Sequence, residues 1–235
     1  MHPRRNKPAG SDGAFMNILN YQAAVFDFDG TIIDSMNMWT EIDVEYLARY
    51  GHEFSASLQN EIEGMSADEM AVYFREKYGI PRTNEEMIRE WVEMSEYKYL
   101  HELRLKPFAK EFIGYLHQNG IKVAVATSTE KCIIEPCLRK RGILDLFDGI
   151  TTTTECGIGK PAPDVFLLAA SRIGADPSGC VAFEDLPAGI LSARRAGMFT
   201  VAVDDSFSRE KEAEKRALSD YFIYDFSELM PKETE

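Results

Sequence analysis

Short apolar runs and amphipathic stretches with helical spacing alternate along most of the chain. The runs occupy residues 23–28, 121–127, 180–183 and 199–203, with weaker ones at 149–153 and 221–224. Between them, apolar residues recur at three- and four-residue intervals over residues 110–119, 131–141, 163–173 and 188–196. Strands covered on both faces read as continuous apolar runs, so this alternation predicts a parallel sheet between two helical layers. Gly120, Gly142, Gly174 and Gly197 fall where the helices should stop, a place that favours a residue free to turn left-handed. The fold class expected is a doubly wound parallel α/β core.

One interval breaks the pattern. Residues 36–105 contain no convincing strand, only helical periodicity over 36–50, 67–78 and 84–103, with breaks at Gly51, Gly64 and the Gly79-Ile80-Pro81 turn. A structureless connection above roughly fifteen residues is uncommon, so the interval reads as an inserted all-helical subdomain. It leaves the core near Ser35 and rejoins it near Lys106-Pro107, giving a core of residues 16–35 and 106–235 and a cap of 36–105. The polar opening, residues 1–15, carries Gly and Pro and has no apolar signal core, and it reads as a disordered leader.

Composition narrows the function classes. A hydrophobic content of 45% supports a packed core, and the formal charge of −13 argues against a nucleic-acid partner, which would demand clustered Lys and Arg. No run is long enough to span a membrane. Cys132, Cys137, Cys156 and Cys180 form neither a disulfide framework nor a paired zinc pattern, consistent with reduced thiols in a cytoplasmic monomer. The mixed-charge run at residues 209–216 reads as a solvated helix face, and His52, His101 and His117 lack metal spacing. Trp39 and Trp91 read as cap core.

The candidate chemistry lies at strand ends. Asp27 and Asp29 appear abruptly after Ala23-Ala24-Val25-Phe26, and Gly30 lets the chain turn beneath a ligand. Open parallel sheets bind ligands outside the carboxyl ends of their strands, and strict alternation would put both carboxylates on one side. Glu184 and Asp185 end a second apolar run. Carboxylates converging from two strands need a compensating hard cation, and magnesium held by Asp27, the Asp29 carbonyl and Asp185 would meet that need. Thr127-Ser128-Thr129 places hydroxyl and backbone donors at another strand end, and Lys160 precedes the rigid Pro161-Ala162-Pro163 turn; both suit a phosphate.

The order of these pieces is specific. FDFDGT at residues 26–31, VAVATST at 123–129, GKPAPDVF at 159–166 and FEDLPAGI at 183–190 resemble the four motifs of the haloacid dehalogenase superfamily, in the branch of β-phosphoglucomutase-like phosphatases. The resemblance implies a Rossmann-like core with a helical cap and a magnesium-dependent phosphatase acting on a small phosphorylated metabolite. It implies Asp27 as nucleophile, Asp29 as acid/base, Thr127, Ser128 and Lys160 as phosphate holders, and Glu184 with Asp185 as the metal pair. Asp29 also separates phosphoryl transfer from true dehalogenation. Leu186 departs from the Ser common after the acidic pair, Trp39 from a cap His, and Ala67 from the mutase Arg.

Two rivals stay open at this stage besides a sugar phosphomutase. A phospho-receiver module shares the acidic pair, Thr/Ser and Lys, but normally lacks a long helical insertion and takes its phosphorylated Asp from a later strand. A catalytically idle binding protein would keep the scaffold, although it has no need of Asp27, Asp29, Lys160 and Asp185 together.

Overall fold

The computed structural model describes residues 16–231, so the expected leader at 1–15 lies outside the described residues. β1 (Ala23–Phe26) is four apolar residues buried throughout. After it come α1 (Met36–Arg49), α2 (Ala56–Ile62), α3 (Ala67–Tyr78), α4 (Asn84–His101) and α5 (Ala109–Gln118). The chain then alternates through β2 (Lys122–Thr127), α6 (Lys131–Lys140), β3 (Gly149–Thr152), the one-turn α7 (Thr153–Cys156), α8 (Asp164–Arg172) and β4 (Cys180–Glu184). It finishes with α9 (Pro187–Ala196), β5 (Phe199–Val203), α10 (Glu212–Leu218) and β6 (Tyr221–Ile223).

Every strand pair is parallel, in the order β3-β2-β1-β4-β5-β6. This is the doubly wound core the periodicity implies. One face of the sheet carries large side chains: Phe26 stacks on Phe183 with ring centroids 4.6 Å apart, and Phe112 of α5 meets Phe183 edge-on at 5.5 Å. Each such burial contributes roughly 1.5–3 kcal/mol. The other face is built from Ala23, Ala124, Ala126 and Ala182, small enough for the Ala-rich faces of α8 and α9 to seat closely. From β1 the order runs to β2 on one side and β4 on the other. A crevice therefore opens beyond the carboxyl end of β1, where Asp27 begins.

The interval between β1 and β2 is helical, as its lack of strand periodicity implies. Its two connections to the core pair with each other: Ile33 bridges Leu105, Asp34 N–H donates to Arg104 O at 2.9 Å, and Lys106 N–H donates to Ile32 O at 2.9 Å. Inside the cap, Tyr46, Phe74 and Trp91 form an aromatic cluster, with Trp91 5.4 Å from Tyr46 and 5.5 Å from Phe74. Ser66 with Glu69, and Thr83 with Glu86, form capping boxes that start α3 and α4.

Three expectations need correction. α2 is a helix where none was read; only Leu58 and Ile62 mark its apolar stripe, too few for a periodic signal. The run at 209–216 is not solvated throughout. α10 turns Lys215 fully inward (0% exposed), with its Nζ donating to Val203 O at 3.0 Å and Ser208 Oγ at 2.9 Å. The acids around it disguise an inward lysine as part of a charged surface. Trp39 reaches beyond the cap core, as described below. The four cysteines are free thiols, and among the described residues no helix is long and apolar enough to cross a membrane.

Candidate active site

β1 ends at Phe26, so strand alternation does not carry through Asp27 and Asp29. Asp27 N–H still donates to Phe183 O at 2.9 Å, which fixes the residue beside β4. Both acids nonetheless line one cavity of about 190 Å³, together with Thr127, Ser128, Lys160 and Glu184. Three strand ends thus converge, and the loop before α8 supplies the lysine.

Lys160 is the electrostatic hinge of the arrangement. Its Nζ lies 2.6 Å from Asp27 Oδ1 and 2.6 Å from Glu184 Oε1, with all three side chains buried. Burial opposes the lysine's charge, but the two carboxylates outweigh it and hold the Lys160 pKa above its ordinary value. Burial pushes the Asp27 carboxyl up to about 8, against the lowering pull of Lys160 and with help from Glu184 and Asp29. Burial also raises Glu184 and Asp185, the latter well above the usual carboxylate range, with Asp27 and Glu184 adding to it. One lysine is too little positive charge for this many acids.

The remaining acid shows where more charge belongs. Asp185 Oδ1 accepts from Thr31 Oγ1 at 3.3 Å, but Asp185 Oδ2 is buried without a partner among the described residues. Gly30, at φ +72°, faces it; a Cβ there would sit 2.2 Å from Asp185 Oδ2. Only glycine leaves that space. Oxygens of Asp27, Glu184 and Asp185 all lie within 4.8 Å of one another. A hard divalent cation fits this donor set, which is all oxygen, over-acidic and incompletely satisfied.

The Asp29 carboxylate stands outside that cluster. Oδ1 accepts from Ser35 Oγ at 2.5 Å, from Trp39 Nε1 at 3.4 Å and from the Tyr99 hydroxyl, while Oδ2 accepts from Thr129 Oγ1 at 2.5 Å. Trp39 Nε1 also donates to Tyr99 OH at 2.8 Å, tying two cap helices to one core acid. Burial, then Asp29, lifts the Tyr99 pKa well above its ordinary value, keeping the phenol a donor. Sequence reasoning missed Ser35 and Tyr99 as holders of this acid. Ser35 precedes α1 like an ordinary N-cap, yet its hydroxyl makes no cap bond and serves Asp29 instead. Tyr99 lies seventy residues from Asp29, and no local pattern links them.

At the end of β2, Thr127 is buried and its Oγ1 accepts from Thr129 N–H at 3.1 Å, which sets the turn that presents Ser128 to the cavity. The cap closes the opposite wall. The Glu69 carboxylate accepts at 2.8 Å from Ser66 N–H within its capping box and at 2.8 Å from Gly159 N–H, next to Lys160. Glu63 accepts from Ala188 N–H at 3.1 Å and from Lys211 Nζ. Ala67 lines the cavity without charge, while Arg75 bonds Asn84 Oδ1 and Lys77 pairs with Glu61, both at the surface.

Comparison with known proteins places this geometry. The sequence profile of haloacid dehalogenase-like hydrolases matches residues 24–203. A probable pseudouridine-5'-phosphatase of Drosophila melanogaster is 32% identical over 194 residues, covering 80% of this chain and 84% of the relative. Hexitol phosphatase B of Escherichia coli K12 is 29% identical over 219 residues, covering 90% and 95%. Among solved structures, CbbY from Rhodobacter sphaeroides in complex with phosphate superposes with a TM-score of 0.79 at 24% identity, covering 89% of this chain and 96% of that one. A β-phosphoglucomutase from Clostridium difficile gives a TM-score of 0.73 at 23% identity, covering 89% and 93%, a likeness of fold. A phospho-receiver reading has no place beside a profile that spans core and cap alike: the chain belongs to the haloacid dehalogenase-like hydrolases.

Proposed function

We propose that this chain is a magnesium-dependent phosphatase that hydrolyses a small phosphate monoester through a phosphorylated Asp27. The observation that carries the reading is the Asp27 carboxylate at the end of β1, 2.6 Å from a buried lysine and beside the separately held Asp29. The phosphatase relatives support the reaction class. In the first half, an Asp27 oxygen attacks phosphorus and the ester oxygen leaves, taking a proton from Asp29. In the second half, Asp29 takes a proton from water as that water attacks the aspartyl phosphate, releasing phosphate and restoring Asp27. Ser35, Trp39, Tyr99 and Thr129 keep the Asp29 carboxyl aimed through both halves. Lys160 and the Thr127-Ser128 turn hold the phosphoryl oxygens. Magnesium held by Asp27, Glu184 and Asp185, with the Asp29 carbonyl, would add positive charge against those oxygens.

In this reading the cap, α1 to α4, moves as a body about the paired connections near Asp34-Ser35 and Lys106-Pro107, opening for substrate and closing over the covalent intermediate. Glu69 is one latch, since its carboxylate joins α3 to the loop bearing Lys160, and Glu63 ties the cap to Ala188 and Lys211 alongside it. Glu69→Ala should raise KM and lower kcat together, by about tenfold in kcat/KM for one lost hydrogen bond to a charged group. Small-angle scattering of the phosphate-bound variant should show a more open molecule. Unchanged kinetics and scattering would remove the latch.

Hydrolysis is favoured over sugar phosphomutase activity because, among the described residues, no cation of the cap lines the cavity to grip a second phosphate. Ala67 is neutral, and Lys211 is already paired with Glu63. A screen of phosphorylated metabolites with magnesium should give phosphate release. β-Glucose 1-phosphate with a trace of the bisphosphate should give little glucose 6-phosphate. Rapid glucose 6-phosphate formation with little free phosphate would install the mutase reading instead.

A further inference from the structure

The cavity has two unlike halves. The core half supplies the carboxylates, Lys160 and the hydroxyl turn already described. The cap half is walled largely by apolar side chains, among them Trp39, Ile62, Met65, Met70 and Ile88, and two carboxyls interrupt them: Glu63, which is bonded to Lys211 and Ala188 N–H, and Asp43 of α1. Asp43 follows Met36 and Trp39 at helical spacing, so all three share the face of α1 that lines the cavity. It is only 4% exposed.

Asp43 has no partner that explains its burial. Among the described residues no side chain or backbone group donates to its carboxyl, and no cation pairs with it. The two lysines of the cavity are committed elsewhere, Lys160 to Asp27 and Glu184, and Lys211 to Glu63. Burial alone pushes the Asp43 pKa up to about 7. A buried polar group left unsatisfied costs about 1–3 kcal/mol, more when charged, and such groups are tolerated where a ligand completes them. A cavity of about 190 Å³ holds on the order of a dozen waters, the scale of a small metabolite.

We infer that Asp43 is the cap's specificity group: it accepts a hydrogen bond from an O–H or N–H at the far end of a substrate whose body is apolar or aromatic. This rests on the phosphatase reading of the same cavity and adds the substrate class to it. The preferred substrate is therefore a monophosphate that carries its only anionic group at the core. A second anion at the far end would meet Asp43 with no cation to offset the repulsion.

Four para-substituted phenyl phosphates test this: methyl, hydroxymethyl, aminomethyl and carboxylate. Each is measured twice, as phosphate release by the wild type and as Kd on Asp27→Asn. The hydroxymethyl and aminomethyl compounds should exceed the methyl compound by about tenfold or more, and the carboxylate should fall about tenfold or more below it. Asp43→Leu, in the wild-type and Asp27→Asn backgrounds, should collapse the donor-to-methyl ratio to about one. The near-isosteric Asp43→Asn should keep the hydroxymethyl preference through its amide carbonyl and lose the aminomethyl one. Ratios unmoved by Asp43→Leu, a flat order across the four compounds, or a preferred carboxylate would overturn the inference. Phosphate release with a flat order overturns it alone. The expected order in Kd with no phosphate release from any compound keeps it and overturns the phosphatase reading.

Discussion

Asp27→Asn should abolish turnover while leaving the protein folded. The substitution keeps the size of the side chain and its place after β1, and it leaves Lys160 its contact with Glu184 2.6 Å away. It removes the carboxylate that stands at the end of β1, pairs with Lys160, shares the acidic cluster and opens to the cavity beside Asp29. An amide is a poor nucleophile and forms no aspartyl phosphate, so kcat should fall by at least a thousandfold, a barrier increase of about 4 kcal/mol. The variant should still bind inorganic phosphate, and wild-type protein quenched during turnover should carry a phosphate adduct at Asp27 by mass spectrometry. Near-wild-type turnover by the variant, freed of contaminating phosphatase, would end the proposed mechanism.

The contrast between Asp27 and Asp29 shows what a sequence discloses and what it withholds. Both acids, and Thr127, Glu184 and Asp185, stand out in the sequence because each follows or closes an apolar run, and strand ends are where an open sheet collects its ligands; Lys160 stands out by the rigid Pro161-Ala162-Pro163 turn behind it. β5 and α3 match their expected limits because their periodicity is unbroken between turn residues. The surroundings of these acids were not legible, since they depend on tertiary approach. Trp39 and Tyr99 read as filler of a helical cap, and only the folding of α1 against α4 brings their polar tips to Asp29. Lys215 and Asp43 fail in the same way. Each is a charged residue in a helix whose other polar positions face solvent, so local pattern assigns it outward. The fold buries it because that position faces a strand end or a cavity. Charges at the wrong angle on an amphipathic helix are where this sequence concealed its chemistry.

Removing the metal should be as damaging as removing Asp27, and the pH dependence of stability should show why. Excess chelator should reduce turnover by at least about a thousandfold. Magnesium should restore it, and calcium should do so poorly because it takes more ligands at longer distances. Without a cation, burial lifts Asp27 from 3.8 to about 8 and raises Glu184 and Asp185 as well. The folded metal-free state therefore holds protons that the unfolded chain releases as pH climbs through the ordinary carboxylate range. The stability these groups contribute is complete at low pH and is lost progressively until the folded values near 8 are passed. The chelated protein should thus show a Tm that falls between about pH 5 and about pH 8. Bound cation reverses the sign by favouring the ionised carboxylates, so the gap in Tm between magnesium-loaded and chelated protein should widen over the same interval. The comparison is a pair of thermal melts at each pH, with phosphate release assayed alongside. Undiminished hydrolysis in excess chelator would show that Asp27, Glu184 and Asp185 converge for another purpose, and a Tm gap that narrows with rising pH would show that they do not bind the ion as carboxylates.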